Sequence, residues 1–233
     1  LMKAKLDAGR ALLYQCARYV DVYKALDDIA RERKLTPEER TEQKTYAKLA
    51  DSLTPLAKGM NSEYCNQNTF DALQIHGGSG FMMDYPIQRY YRDARITNIY
   101  EGTTQLQVVA AIRYVTNGSY LAQMREFEQA EVSEAVKPLQ AQAKALADLF
   151  EQAVEHVKEA QSQEMQDLCA RHLVEMAADV IMLHLLCRNA TQQPELFEKS
   201  ARVYARFVTA EVQKHHTWVM DLTAEALADY RCE

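Results

Sequence analysis

The sequence predicts an all-α fold, and three observations carry this prediction. Apolar residues recur at intervals of three and four along most of the 233 residues, which is the spacing of one face of a helix. Glycine (7 residues) and proline (5 residues) are both scarce, which disfavours sheet-rich folds with many tight turns. No stretch shows the alternation of apolar and polar residues that is typical of a half-buried strand.

A long amphipathic helix is predicted at the start of the chain. Its apolar stripe consists of Met2, Leu6, Leu13, Cys16, Val20 and Tyr23. The second helix has a strong start signal, because Thr36 can act as its N-cap, Pro37 as its first residue and Glu39 as the returning partner of a capping box. Thr54-Pro55 then either starts a third helix or kinks the second one, and the helical pattern continues to about His76.

Residues 77 to 101 are the least regular part of the chain and predict one long loop, of the kind that is usually functional. A further helix is predicted from about Thr103 to Val115, and Asn117-Gly118 ends it. One face of this helix carries Leu106, Val109 and Ala110. Residues 1 to 118 are therefore predicted to form a four-helix bundle of long helices.

The composition changes at Ser119, after which the chain is rich in Gln, Glu, Ala and Lys up to Glu159, and only Pro138 interrupts it. Two longer helices follow. The apolar stripe of the first is Met165, Leu168, His172, Met176, Val180, Leu183 and Cys187, and that of the second is Phe197, Tyr204, Phe207, His215, Val219 and Leu222. We place a domain boundary near residue 118 and predict that residues 119 to 233 form a helical C-terminal extension.

Composition also excludes some classes of protein. A net charge of −6, with acids and bases mixed, argues against nucleic-acid binding. No apolar run reaches the roughly 20 residues of a membrane span, and no signal peptide is visible. The cysteines are odd in number and form no CxxC pair, so a reducing, cytoplasmic location without disulfides is expected. They are Cys16, Cys65, Cys169, Cys187 and Cys232.

Glu101 is the main candidate for chemistry. A carboxylate can act as a general base if a poorly solvated site lifts its pKa. Gly102 permits close approach of the backbone, so an amide N–H there can reach a substrate oxygen. The alternative is that Glu101 caps the helix that follows, and spacing alone favours the cap.

Gln74 to Gly80 contain glycines that could let the backbone approach a phosphate or adenosine group, but an ordinary helix C-terminus explains this stretch better. Before Glu101, a group of charged residues either fixes the loop through ion pairs, which we favour, or forms a solvated face. The group consists of Arg89, Arg92, Asp93 and Arg95.

A metal site is not expected. A di-iron bundle needs Glu-x-x-His on two helices, and the sequence contains none. Glu211 and His215 are one helical turn apart, but a lone pair is usually a surface contact. His172 and His184 lie in mostly apolar helix and are predicted to be core or interface residues.

The two glycine-containing motifs resemble a known family. "DALQIHGGSGF" followed by "YPIQRYYRDARITNIYEGTTQLQ" is similar to the C-terminal helical domain of the flavin-dependent acyl-CoA dehydrogenases, over roughly residues 1 to 118. Leu106 stands where the family usually has Ile. The extension is similar in position and helical character to that of larger bacterial members, such as those resembling 3-methylmercaptopropionyl-CoA dehydrogenase.

The resemblance implies roles at the end of the predicted loop, and it outweighs the preference for a cap. Glu101 would be the catalytic base that takes the α-proton of an acyl-CoA thioester while the β-hydride passes to flavin N5. Its backbone N–H, with a flavin ribityl hydroxyl, would hold the thioester carbonyl. Tyr100 and Gly102 would line the substrate slot, and Thr103 and Gln105 would contact FAD.

The resemblance also implies an assembly. Gln74, Gly77 and Gly78 would reach the FAD of a neighbouring subunit, in a homodimer or homotetramer. An electron-transfer flavoprotein would take the electrons. The family's N-terminal helical domain and central β-barrel have no counterpart in the sequence, so a chain cut from a longer enzyme is expected, with weak or no FAD binding and no turnover by itself. An acyl-CoA oxidase and a non-catalytic helical oligomerisation module remain the alternatives.

Overall fold

The computed structural model describes residues 1 to 230 and leaves the side chain of Ala224 aside. Within that range the chain forms ten helices and no strand, so the prediction of an all-α fold is confirmed. The helices are α1 (Met2–Glu32), α2 (Pro37–Ile75), α3 (Gly78–Phe81), α4 (Ile87–Ile96), α5 (Thr104–Thr116), α6 (Ser119–Glu128), α7 (Lys137–Glu159), α8 (Gln163–Gln192), α9 (Pro194–Asp221) and α10 (Ala224–Ala228).

Helices α1 and α2 form a long antiparallel hairpin. The predicted capping box at the start of α2 is present, since Thr36 Oγ1 accepts from the Glu39 N–H (3.2 Å) and Glu39 Oε2 accepts from the Thr36 N–H (2.9 Å). Pro55 lies inside α2, so Thr54-Pro55 does not start a new helix. Only the carbonyl four residues earlier loses its usual partner, because proline has no N–H.

The apolar stripe predicted for α1 is partly wrong. Leu6 and Leu13 are about half exposed, whereas the face that packs consists largely of small residues such as Ala4, Ala8 and Ala11. Small side chains on this face let α2 approach closely. At Gly9, an added Cβ would overlap Asn61 Oδ1, so the side chain of Asn61 on α2 lies directly against the backbone of α1, where its Nδ2 also donates to the Gly9 carbonyl (3.3 Å).

The prediction of one long loop over residues 77 to 101 is also wrong, because α3 and α4 lie within it. Helix α4 buries only Ile87 and Ala94, and such a polar helix gives little apolar periodicity. In α5 the face with Leu106 and Val109 is exposed. The opposite face packs against the core through Val108, Ala111, Tyr114 and Val115.

Helices α7, α8 and α9 pack against one another and against α1, α2 and α5 in one continuous core. The stripes predicted for α8 and α9 are buried or half-buried throughout. Polar contacts cross between the two halves of the chain, as where Tyr120 Oη donates to the Ser52 carbonyl (2.7 Å). The boundary near residue 118 falls at the α5–α6 junction, where Gly118 has φ +78°, and the division into two domains stays a prediction.

Within the described residues, no helix combines the length and the apolar character that crossing a bilayer requires. Cys16, Cys169 and Cys187 are buried free thiols and Cys65 is a half-buried one. Cys232 lies outside the described residues.

Candidate active site

The candidate base lies in a short segment, residues 97 to 103, that links α4 to α5. Glu101 has φ +50° and Gly102 has φ +90°. Of the non-glycine residues that the structure describes, Glu101 and Gln161 have positive φ. This conformation costs an L-residue about 1 kcal/mol or more, so surrounding contacts must hold Glu101 in it.

Lys58 of α2 supplies two of these contacts. Its Nζ donates to the carbonyl of Thr97 (2.9 Å) and to the carbonyl of Gly102 (2.6 Å). Gln107 Nε2 donates to the same Gly102 carbonyl (3.2 Å). A Cβ on Gly102 would lie 2.7 Å from Gln107 Nε2, so a side chain here would meet both strain and a steric clash.

Glu63, five residues further along α2, joins the two ends of the segment. Its Oε1 accepts from Thr104 Oγ1 (2.6 Å) and from Asn98 Nδ2 (3.3 Å). The Thr104 N–H also donates to the Asn98 carbonyl (3.2 Å). The two ends of the segment are thus fastened together and to α2, and residues 99 to 102 form the tip between them.

The cap of α5 is Thr103, whose Oγ1 accepts from the Leu106 N–H (3.3 Å). The alternative that Glu101 caps this helix is therefore wrong. Glu101, Tyr100, Thr103 and Gln105 are exposed, and Gly102 is half-exposed. Within the described residues the Glu101 side chain is therefore open to solvent, and not in the poorly solvated site expected of a general base.

The glycine motif at the end of α2 lies elsewhere. Sixteen residues of α2 separate Lys58 from Gln74, a distance of about 24 Å along the axis, so the structure does not bring Gln74, Gly77 and Gly78 together with Glu101. The helix ends at Ile75, and Gly77 follows with φ +60° and ψ −146°, a conformation that only glycine adopts readily. A Cβ on Gly77 or Gly78 would meet no atom within 4 Å, so the space around both is open.

The charged group before Glu101 does not form the favoured ion pairs among the described residues. Arg89, Arg92 and Asp93 are exposed, and Arg95 donates to Asn98 rather than to a carboxylate. The solvated-face alternative fits better.

Histidines lie at the contact between α8 and α9. His172 Nδ1 is 2.7 Å from His215 Nδ1, and His215 Nε2 is 3.2 Å from a carboxylate oxygen of Glu175. Burial, followed by the nearby His215, lowers the pKa of His172 to about 4. His184 is buried, and among the described residues no group of three or more His, Cys, Asp or Glu side chains is arranged to hold a metal ion.

Sequence reasoning missed Lys58 and Glu63. Their partners lie about 40 positions further along the chain, as with Lys58 and Thr97, which are 39 residues apart. No local pattern marks such a contact in a single sequence. The one available signal is that both residues fall on the helix that packs against α5.

Two family models match the chain. The model described as "Acyl-CoA dehydrogenase, C-terminal domain" matches residues 1–114, and that described as "Acyl-CoA dehydrogenase C terminal" matches residues 116–227. Together they leave only Val115 and the last six residues unmatched. The chain belongs to the acyl-CoA dehydrogenase family. The resemblance seen in the two motifs is therefore confirmed, and the family match continues into the extension.

Curated proteins also match part of the chain. The broad-specificity linear acyl-CoA dehydrogenase FadE5 of Mycobacterium tuberculosis is 47% identical over 64 residues, which are 28% of this chain and 10% of that protein. The caffeyl-CoA reductase-Etf complex subunit CarC of Acetobacterium woodii is 35% identical over 106 residues, or 46% of this chain and 22% of that protein. The chain thus spans less than a quarter of the length of either relative.

A solved structure shows the same fold over both halves of the chain. The acyl-CoA dehydrogenase of Bacillus anthracis, complexed with FAD, aligns with 97% of this chain and 42% of its own, at a TM-score of 0.68 and 20% identity. The helical bundle and the helical extension are therefore an arrangement that this acyl-CoA dehydrogenase also has.

Proposed function

We propose that the chain is the helical C-terminal part of an FAD-dependent acyl-CoA dehydrogenase, in which Glu101 takes the α-proton of an acyl-CoA thioester. The observation that carries this proposal is the fixed, left-handed backbone at Glu101 and Gly102. A disfavoured conformation held by three side-chain hydrogen bonds to the segment's carbonyls is the kind of strain that functional sites store.

The residues around Glu101 suit this chemistry. The missing Cβ of Gly102 lets a substrate lie close to the backbone beside the carboxylate. The Glu101 N–H would donate to the thioester carbonyl, which favours loss of the neighbouring proton. Tyr100, about half exposed, would form one wall of the substrate slot.

The polar residues near Glu101 fit FAD. The Thr103 and Gln105 side chains are exposed at the start of α5, within reach of a ligand at the tip of the segment. FAD, when bound, accepts the β-hydride of the substrate. Gln74, Gly77 and Gly78 lie too far along α2 to touch the same flavin ring, and the open space around both glycines suits approach to a second FAD, held by another subunit of a homodimer or homotetramer.

Exposed apolar side chains support a larger assembly. Most of the large ones lie in residues 1 to 109, a concentration that marks interaction surfaces rather than ordinary solvent-facing surface. Those in the region of the two motifs are Phe70, Ile75, Phe81, Met82, Met83, Tyr85, Tyr90, Tyr91, Ile96, Ile99, Tyr100, Leu106 and Val109. Other parts of the full-length enzyme and its neighbouring subunits would cover them, and this cover would also remove water from Glu101.

The partners follow from the proposed reaction. The substrate is an acyl-CoA thioester, and the electrons leave to an electron-transfer flavoprotein. By itself the 233-residue chain binds FAD weakly or not at all and has no turnover. The residues proposed to contact FAD and substrate are largely exposed to solvent, and other parts of the full-length enzyme would have to complete the site.

The experiment is a Glu101→Gln variant of the full-length enzyme. It should keep its flavin and lose acyl-CoA-dependent bleaching of that flavin by several orders of magnitude, because an amide cannot accept the proton. Glu131→Gln is the matched control, since Glu131 is exposed in the α6–α7 connection, away from the segment. Bleaching at the normal rate in Glu101→Gln would remove Glu101 from the mechanism, and stoichiometric peroxide release by the unaltered enzyme would favour an oxidase.

A further inference from the structure

We propose that Lys58 is the positioning residue for the candidate base: its ammonium group holds the segment of Glu101 in the left-handed conformation. This inference rests on the proposed role of Glu101 and adds a residue that does not touch the substrate. Lys58 is half-buried on α2, and its bonds reach both flanks of the segment, at Thr97 and at Gly102.

The first bond lies at the C-terminal end of α4. Thr97 is the C-cap of α4, where the last carbonyls of a helix have no partner within the helix. A lysine ammonium at this point satisfies one of them and also lies favourably in the negative end of the helix dipole. The direction in which the chain leaves α4 is therefore set from α2.

The second bond fixes the residue after the base. The Gly102 carbonyl accepts from both Lys58 Nζ (2.6 Å) and Gln107 Nε2 (3.2 Å), so its peptide plane is held from two sides. Gly102 has φ +90°, and turning this peptide would change the backbone of Glu101 with it. Gln107 alone would leave one lone pair of the carbonyl without its charged donor.

The same ammonium group lies near the residue before the base. Its Nζ is 5.9 Å from the centre of the Tyr100 ring, at the outer limit of a cation–π contact. Lys58 therefore bonds to Thr97 and Gly102 and lies near the ring of Tyr100. Among the described residues it forms no hydrogen bond or ion pair with Glu101 itself, which is the pattern of a group that orients another. The carboxylate would keep its place relative to a substrate only while the lysine holds its neighbours.

Three variants test the inference. Lys58→Met keeps the length of the side chain but has no donor, Lys58→Arg keeps donors and charge, and Lys44→Met is the control, since Lys44 is exposed on the same helix. In the 233-residue chain, Lys58→Met should speed amide hydrogen exchange about 10-fold in peptides that cover residues 97 to 107, because two part-buried hydrogen bonds from a charged donor are lost. Peptides from α7 should not change.

In the full-length holoenzyme, Lys58→Met should keep its flavin content and its KM for acyl-CoA while kcat falls about 100-fold, as expected for a misplaced catalytic group. Lys58→Arg should recover part of kcat. If Lys58→Met left the rate of amide hydrogen exchange over residues 97 to 107 unchanged, the inference would be overturned, independently of the role of Glu101. Faster exchange with normal kcat, in an enzyme that Glu101→Gln inactivates, would overturn it as well. Normal bleaching in Glu101→Gln would instead refute the proposed function, and any role of Lys58 in catalysis with it.

Discussion

The phenol of Tyr64, on α2, donates a 2.8 Å hydrogen bond to Oδ1 of Asp179, on α8. Tyr204 of α9 donates to the same oxygen (3.2 Å), and the two phenol oxygens lie 2.9 Å apart. All three side chains are buried, so the cluster joins the first bundle to the extension through polar groups inside a shared apolar core. Tyr64 directly follows Glu63, which holds the segment of the candidate base.

The pH dependence of stability should report on Asp179. Burial raises its pKa from 3.8 to about 7, against the opposing effect of the hydrogen bond from Tyr64. Between these two values the folded chain keeps a proton that the unfolded chain has released, so the contribution of this carboxyl to the free energy of unfolding falls as pH rises.

The test is Asp179→Asn, which keeps the accepting oxygen and cannot ionise. The free energy of unfolding of the wild type minus that of the variant should decrease by about 2 kcal/mol from pH 5 to pH 7. Urea denaturation at the two pH values measures this difference. A difference that grows with pH would mean that the carboxylate is charged in the folded chain.

The contribution of His184 to the free energy of unfolding should change with pH in the opposite direction to that of Asp179. It is buried, its Nε2 makes no hydrogen bond to the described residues, and burial, assisted by Arg125, lowers its pKa from 6.5 to about 4. Below pH 6.5 the unfolded chain binds a proton that the folded chain does not, so stability is lost as pH falls toward 4. Relative to the wild type, His184→Leu should therefore gain about 2 kcal/mol of unfolding free energy from pH 7 to pH 5. The same difference in free energy of unfolding between variant and wild type at pH 7 and pH 5, measured by urea denaturation, would contradict this.

Replacement by alanine should change the free energy of unfolding differently at Gly102 and at Gly78. Gly102→Ala should lower the free energy of unfolding by about 1 to 2 kcal/mol, because alanine disfavours φ +90° and its Cβ would press on Gln107. Gly78→Ala should leave stability unchanged or raise it slightly, since its Cβ would meet no atom within 4 Å. Thermal unfolding of the two variants compares them directly. Equal losses would show that the conformation at Gly102 is not strained for alanine.

Local signals were sufficient for parts of this structure. The capping box of Thr36 and Glu39 depends on residues three apart, so the sequence alone predicts where α2 begins. Periodicity predicts α8 and α9 well because each buries a broad apolar face. The motif around Glu101 identifies the family, which neither periodicity nor composition could do.

Other parts depend on contacts that a single sequence does not contain. Leu6 and Leu13 suggest the buried face of α1, but close packing with α2 selects the small residues instead. Helix α4 escapes prediction because it is fastened by polar bonds, such as that from Asn66 Nδ2 to the Ala94 carbonyl (2.9 Å), rather than by an apolar stripe. The hydrogen bonds from Lys58 to the segment of Glu101 likewise join residues that are far apart in the sequence, so they can be identified only from the folded structure.

The exposed large apolar side chains are distributed unevenly along the chain, and most of them lie in residues 1 to 109. In residues 119 to 230 the large apolar side chains that reach the surface are Leu196, Met220 and Tyr230. Residues 119 to 230 should therefore resist self-association in water. The earlier part of the chain, with Phe81, Met83 and Leu106 exposed, would bind other apolar surfaces. A shortened chain that lacks the last three long helices would therefore precipitate more readily than the whole, quite apart from any loss of stability.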